Sequence, residues 1–141
     1  MEIKIKLIEG GKMPEFKTDG AVCADCYTRC DSPIAVRPGE RALIPLGFAI
    51  ELPPGYEAVV RPRSGMSSKG IDSLIGTIDY DYRGEVKACI VNNFGKAISV
   101  ENGTRVCQIA IREAPAVSFK VVDELSDTER AENGFGSTET K

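Results

Sequence analysis

Gly76-Thr77-Ile78-Asp79-Tyr80-Asp81-Tyr82-Arg83-Gly84-Glu85 is the stretch from which the rest of the chain is read. Ile78, Tyr80 and Tyr82 alternate with Asp79 and Asp81, the period-2 pattern of a β-strand. That pattern predicts that Asp79 and Asp81 share one face. The bounding glycines predict a turn or a close approach to a ligand. Most alternating strands of this kind are edge hairpins with a solvated charged face. This one gathers two acids, two tyrosines and an arginine in a chain without histidine, so the surrounding sequence decides its meaning.

Upstream, Ile3, Ile5 and Leu7 alternate with Lys4 and Lys6, which predicts a half-buried edge strand over residues 2–8. Residues 21–28 read as a short strand, and residues 33–36 lead into the turn Arg37-Pro38-Gly39-Glu40. Residues 41–52 are largely apolar but interrupted by Pro45 and Gly47, so this stretch bends or divides between two strands. Pro53-Pro54-Gly55 turns into a strand at 56–60, and residues 61–70 hold a short helix capped by Ser64. Downstream, 86–92, 97–101 and 104–112 read as strands, with Asn102-Gly103 predicting a hairpin between the last two. Residues 116–122 read as the final strand. Short strands separated by turns, with no long amphipathic helix, predict an all-β sandwich or barrel with one short helix at most. Residues 1–122 form the domain, and residues 123–141, charged and then rich in Gly, Ser and Thr, form a flexible C-terminal tail.

A length of 141 residues suits one core. The net charge of −3 argues against a nucleic-acid-binding surface, which relies on clustered Lys and Arg. No apolar run reaches membrane-spanning length, and the start lacks a signal-peptide core, so the expected compartment is the cytoplasm. The five cysteines, Cys23, Cys26, Cys30, Cys89 and Cys107, are an odd number, which does not suit a disulfide framework. Cys23, Cys26 and Cys30 have ligand-like spacing, but a structural zinc site needs a fourth ligand and no histidine exists. These thiols are expected to be buried or neutral.

Pro62-Arg63-Ser64-Gly65 combines a guanidinium, a hydroxyl and backbone N–H groups, the ingredients of a phosphate site. In Thr104-Arg105-Val106-Cys107-Gln108, strand alternation would place Val106 and Gln108 together, opposite Arg105 and Cys107. The tail carries Arg130, then Phe135 between Gly134 and Gly136, then Ser137 and Thr138. One aromatic, one arginine and two hydroxyls on a mobile segment suit a lid over an aromatic ring and a phosphate.

In this order the pieces resemble the trimeric dUTPase family over nearly the whole chain. Its five motifs fall on Asp25, on Arg63-Ser64-Gly65, on residues 76–84, on residues 103–108, and on Arg130 with residues 134–138. The resemblance implies a homotrimer of jelly-roll domains that hydrolyses dUTP to dUMP and pyrophosphate. Its active sites would lie at subunit interfaces, with the tail of one subunit closing over a site built by two others. It implies that Asp79 activates the water attacking the α-phosphorus and that Mg2+ is held mainly by the triphosphate, with Asp25 reaching it through water. Arg63, Ser64, Gly65 and Gln108 would contact phosphates, and Arg130, Ser137 and Thr138 the γ-phosphate. Gly76, Thr77 and Ile78 would read uracil through their backbone, with Ser73 where the family often has an asparagine. Phe135, next to Gly136, would stack on the base, and Tyr82 would exclude a 2′-hydroxyl. Arg83 and Arg105 are expected in hairpin or interface ion pairs.

The first motif departs from the family's Ala-Gly-x-Asp-Leu, reading Val22-Cys23-Ala24-Asp25-Cys26, and Ala131 and Glu139 replace glycines of the fifth. The nearest alternative is a dCTP deaminase, plain or bifunctional, of the same fold, which would need a glutamate-type base. Glu85 lies beyond the turn. The other alternative is a non-catalytic nucleotide-binding or regulatory module.

Overall fold

Residues 41–52 divide as their Pro45 and Gly47 require. β4 (Arg41–Pro45) and β5 (Phe48–Glu51) lie in different sheets, and Gly47 between them takes a φ of +73°. The computed structural model describes residues 1–132. The remaining elements are β1 (Lys4–Leu7), β2 (Ala24–Tyr27), β3 (Ile34–Val36), β6 (Tyr56–Arg61), α1 (Ser64–Ser67), β7 (Ile71–Ser73), β8 (Gly76–Ile78), β9 (Lys87–Asn92), β10 (Ile98–Val100) and β11 (Arg105–Glu113). The architecture is therefore nearly all-β among the described residues, as the strand spacing predicts, with a single four-residue helix.

Four antiparallel sheets, ordered β1-β5, β10-β3, β2-β11-β6-β8 and β4-β9-β7, enclose one core. Ile44, Leu46, Phe48 and Ile90 are completely buried there. Burying each such side chain stabilises the fold by about 1.5–3 kcal/mol. Asn92 is also fully buried, and its amide donates to the carbonyls of Val36 at 2.8 Å and Lys96 at 2.9 Å. It ties β9 to the β3–β10 sheet without leaving a polar group unpaired.

Several local expectations need correction. The strand at residue 76 ends at Ile78, and residues 79–82 form a turn closed by the Tyr82 N–H on the Asp79 carbonyl at 3.1 Å. Asp79 and Asp81 thus do not share a strand face. Ser64 is the first helical residue and not the cap, a position held by Arg63 with no side-chain cap bond. Residues 116–122 form no strand, and Val117, Phe119 and Val121 stand exposed.

Asn102-Gly103 does make a turn, with the Thr104 N–H on the Glu101 carbonyl at 3.2 Å, but it joins no hairpin. β10 pairs with β3, and β11 pairs with β2 and β6. Only Gly103 of the two has positive φ, +75°, whereas a primed hairpin turn of the Asn-Gly kind needs it at both. Instead Thr28, 2% exposed, plugs the turn. Its hydroxyl donates to the Glu101 carbonyl at 2.6 Å and accepts from the Thr104 N–H at 2.9 Å.

β11 carries the feature that matters most for the site. Arg105 pairs with Tyr27 and Cys107 with Cys26, so Val106 is extra and the register shifts at a β-bulge. Both Val106 and Cys107 are buried.

Candidate functional site

The bulge decides which β11 side chains meet. Strict alternation would separate Arg105 from Gln108. One inserted residue restores them to a common side, and both line a cavity of about 330 Å³ with Asp25, Arg63, Ser64 and Gly65. β2 supplies Asp25, the cap position and first turn of α1 supply residues 63–65, and β11 supplies the rest.

Asp25, only 8% exposed, is the centre of this cavity. Arg63 Nε contacts its Oδ1 at 3.0 Å, and Arg105 Nη1 its Oδ2 at 3.1 Å. Arg63 Nη1 also donates to the Arg105 carbonyl at 2.8 Å, so the two arginines are fixed to one another as well. Gln108 Nε2 donates to the Pro62 carbonyl at 2.8 Å, holding the loop before α1. Arg105 was expected in an interface or hairpin ion pair. Its partner is Asp25 of the same chain, inside the cavity.

A second cavity, of about 220 Å³, is lined by Thr77, Ile78, Asp79, Tyr82 and Glu85. Tyr82 and Arg83 hold it with short-range bonds, and Glu85 ties it to the β4–β5 connection. Tyr82 Oη donates to the Glu85 carbonyl at 3.1 Å. A side chain on Gly84 would place its Cβ 2.3 Å from that hydroxyl, so the ring requires glycine there. Gly76 differs: a Cβ would meet only Val60 at 3.7 Å, an ordinary contact, so nothing within the described chain demands glycine at that position. Arg83 Nη1 donates to the Tyr80 carbonyl at 2.7 Å and the Tyr82 carbonyl at 3.0 Å, fastening the turn through backbone acceptors. Glu85 accepts from the Gly47 N–H at 3.0 Å, which commits that carboxylate to holding the β4–β5 connection.

The chain therefore brings Asp25, Arg63, Ser64, Gly65 and Gln108 together, and separately Thr77, Ile78, Asp79 and Tyr82. It does not bring the two groups into one cavity. Ser73, 3% exposed in β7, lines neither, and its hydroxyl faces the Leu74 carbonyl at 3.4 Å. Gly76 opens β8 opposite Val60. Arg130 lies in the exposed segment after β11. Next to it Ala131, where the resemblance expects glycine, takes a left-handed φ of +45°. Phe135, Gly136, Ser137 and Thr138 lie outside the described residues.

Sequence reasoning missed Lys17, which also lines the first cavity. A lysine between Pro14 and Gly20 carries no sequence signal. It is placed by an isolated antiparallel bridge that pairs the Glu15 and Asp25 backbones at 3.0 and 2.9 Å.

The five cysteines are free thiols. Hydrogen bonding to Cys107 and burial push the Cys26 thiol well above its usual range, so it stays protonated and unsuited to metal binding. Among the described residues no group of three or more His, Cys, Asp or Glu side chains could hold a metal ion. Direct ligation by Asp25 would compete with two guanidiniums. Contact through water, using the lone pairs left on its oxygens, fits the donor set.

A family model described as dUTPase matches residues 10–139. The deoxyuridine 5'-triphosphate nucleotidohydrolase of Treponema denticola is 45% identical over 141 aligned residues, covering 98% of each chain. The dUTPase of Staphylococcus bacteriophage 80alpha, solved with dUpNHpp, is similar at a TM-score of 0.90 and 25% identity over 99% of both chains. A point mutant of the dUTPase from phage phi11 of S. aureus, which coordinates a structural Mg(II) ion, is similar in fold at a TM-score of 0.81 and 22% identity, covering 90% of this chain and 100% of that one.

Proposed function

The chain belongs to the dUTPase family, and from that membership we propose that it hydrolyses dUTP to dUMP and pyrophosphate. The observation that carries the reading is the cavity around Asp25, where cationic and hydroxyl groups converge as a polyphosphate needs, in a chain whose kinship runs its full length.

Asp79 accepts a proton from a water molecule while the water oxygen attacks the α-phosphorus. The bond from that phosphorus to the α–β bridging oxygen breaks, and pyrophosphate leaves. Arg63, Ser64, Gly65 and Gln108 bind and orient the phosphates so that the α-phosphorus meets the water in line. A magnesium ion bound with the triphosphate would neutralise phosphate charge, and Asp25 would hold its hydration shell through hydrogen bonds. Gly76, Thr77 and Ile78 read the uracil edge, with Ser73 where the family often has an asparagine. The Tyr82 ring sits against the deoxyribose and excludes a 2′-hydroxyl. The tail, residues 123–141, closes over the site with Phe135 and Gly136 on the base and Arg130, Ser137 and Thr138 on the γ-phosphate.

The two groups of residues line separate cavities in one chain, which supports a homotrimer whose sites form between copies. Phe119, fully exposed, and Val121, 96% exposed, give such an assembly apolar surface to cover. No described helix is long and apolar enough to cross a membrane, and a cytoplasmic location suits a nucleotide substrate. Deamination of dCTP is disfavoured because Glu85, the glutamate nearest the 79–82 turn, is occupied by the Gly47 N–H.

The test is pyrophosphate release from dUTP, dTTP, dCTP and UTP side by side, with and without Mg2+. Magnesium-dependent release from dUTP alone is expected. Intact dUTP, or ammonia release from dCTP, would overturn the reading.

A further inference from the structure

The Asp25 cavity holds more positive charge than Asp25 needs. Among its lining side chains Lys17, Arg63 and Arg105 are cationic and Asp25 is anionic, three against one, in a chain whose net charge is −3. Arg63 and Arg105 each occupy one carboxylate oxygen of Asp25. Lys17 bonds neither oxygen and has a different partnership. Its ammonium donates to the Glu15 carboxylate and, at 3.0 Å, to the Tyr27 hydroxyl. That hydroxyl in turn donates to Glu15 at 2.6 Å.

This arrangement is anchored on both sides. The Glu15 backbone is bridged to Asp25 itself, and Tyr27 is the ladder partner of Arg105. Lys12 and Lys17 flank the Tyr27 ring, 5.4 and 5.7 Å from its centre. The Lys17 head is thus placed at the cavity by the same two strands that place Asp25 and Arg105. An ammonium has three donors. Glu15 and Tyr27 take two, leaving one for an incoming oxyanion.

We propose that Lys17 is a further polyphosphate-contacting residue at the rim of this cavity, and that the Glu15 carboxylate moderates its charge in the empty site. This rests on the dUTP reading above. Lys17 acts as a hydrated point charge on a flexible stem, whereas Arg63 and Arg105 are fixed forks. Its contribution is therefore to affinity and capture, not to the geometry of bond breaking. The hydrogen bond from Lys17 holds Glu15 below the usual carboxylate range, and the same bond raises Lys17, so the pair is fully charged near neutral pH. Both side chains are exposed, so solvent screens the effect and keeps it modest.

The test compares wild type with Lys17→Met, Lys17→Arg and Glu15→Gln in steady-state dUTP hydrolysis at low and high salt. Inorganic pyrophosphate binding to the same proteins is measured by calorimetry. Lys17→Met is expected to raise KM and the pyrophosphate Kd about fivefold with kcat nearly unchanged, an effect that shrinks in high salt. Lys17→Arg should recover most of the affinity, and Glu15→Gln should lower KM and Kd below wild type. Unchanged KM and Kd in Lys17→Met, or equal losses in Lys17→Met and Lys17→Arg, would overturn the proposal. If wild type fails to turn over dUTP, the enzyme reading falls, and pyrophosphate affinity still decides the role of Lys17 by the same comparison.

Discussion

The two cavities are built in opposite ways. Around Asp25, side chains from β2, the β6–α1 junction and β11 are tied by ion pairs between residues 38 and 80 positions apart. Around Asp79, the Tyr82 ring, its hydroxyl and the Arg83 guanidinium bond only within residues 79–85. The first is assembled by the fold and preorganised by ion pairs to Asp25. The second is a local turn that presents Asp79 to solvent. In the account proposed here, the first grips the phosphates and the second, brought by another copy, supplies the base.

The sharpest way to separate the two is Asp79→Asn. It should lower kcat on the order of a thousandfold, as loss of a general base does. Pyrophosphate binding and thermal stability should stay at wild-type values, since Asp79 is exposed. A matching fall in stability would show that the turn is structural. Next comes Asp25→Ala, which leaves Arg63 and Arg105 facing each other without their shared carboxylate. Urea unfolding should show a loss of roughly 2–3 kcal/mol, below the ~3–5 kcal/mol of a fully buried pair because the Arg105 side chain is 45% exposed. Stability equal to wild type would mean that this cavity is no more preorganised than the other.

Gly84→Ala tests the local cavity alone. The new Cβ displaces the Tyr82 ring, and the preference for dUTP over UTP should fall about tenfold while phosphate binding holds. Retained selectivity would place sugar discrimination elsewhere. The smallest effect concerns Glu51, on β5. The hydrogen bond it accepts from Lys4, and then the Lys4 charge, hold it below the usual carboxylate range. A depressed folded value stabilises above the unfolded pKa, and that contribution is lost as pH falls through the folded one. Glu51→Gln should therefore slightly flatten the acid limb of the stability–pH curve and leave both cavities unaffected. An acid limb unchanged by Glu51→Gln would remove the Lys4 pair from the acid response.

The same contrast explains what could be read from the sequence. The strand spacing and the division at Pro45 and Gly47 are local or periodic features, so they were legible. Asp79 and Tyr82 line one cavity because residues 79–82 turn, whereas strand alternation would put them on opposite faces. The union of Arg105 with Gln108 was not, because one extra residue at Val106 rephases the strand and a bulge leaves no mark in the pattern. Asn102-Gly103 was misread for a related reason. A turn dipeptide reports the bend, but not whether the flanking strands pair, and Thr28, just past β2, settles that from far away in the chain. Residues 116–122 have strand composition without a partner edge among the described residues. Lys17 was invisible because its place depends on a backbone bridge to Asp25.

The most direct test mixes two variants that are each expected to be inactive, Asp79→Asn and Arg63→Ala, after dissociating and reassembling them together. If one site takes Asp79 from one copy and Arg63 from another, the mixed assemblies should hydrolyse dUTP far faster than either parent. If the mixture stays as inactive as its parents while forming intact oligomers, the two cavities are not halves of one site.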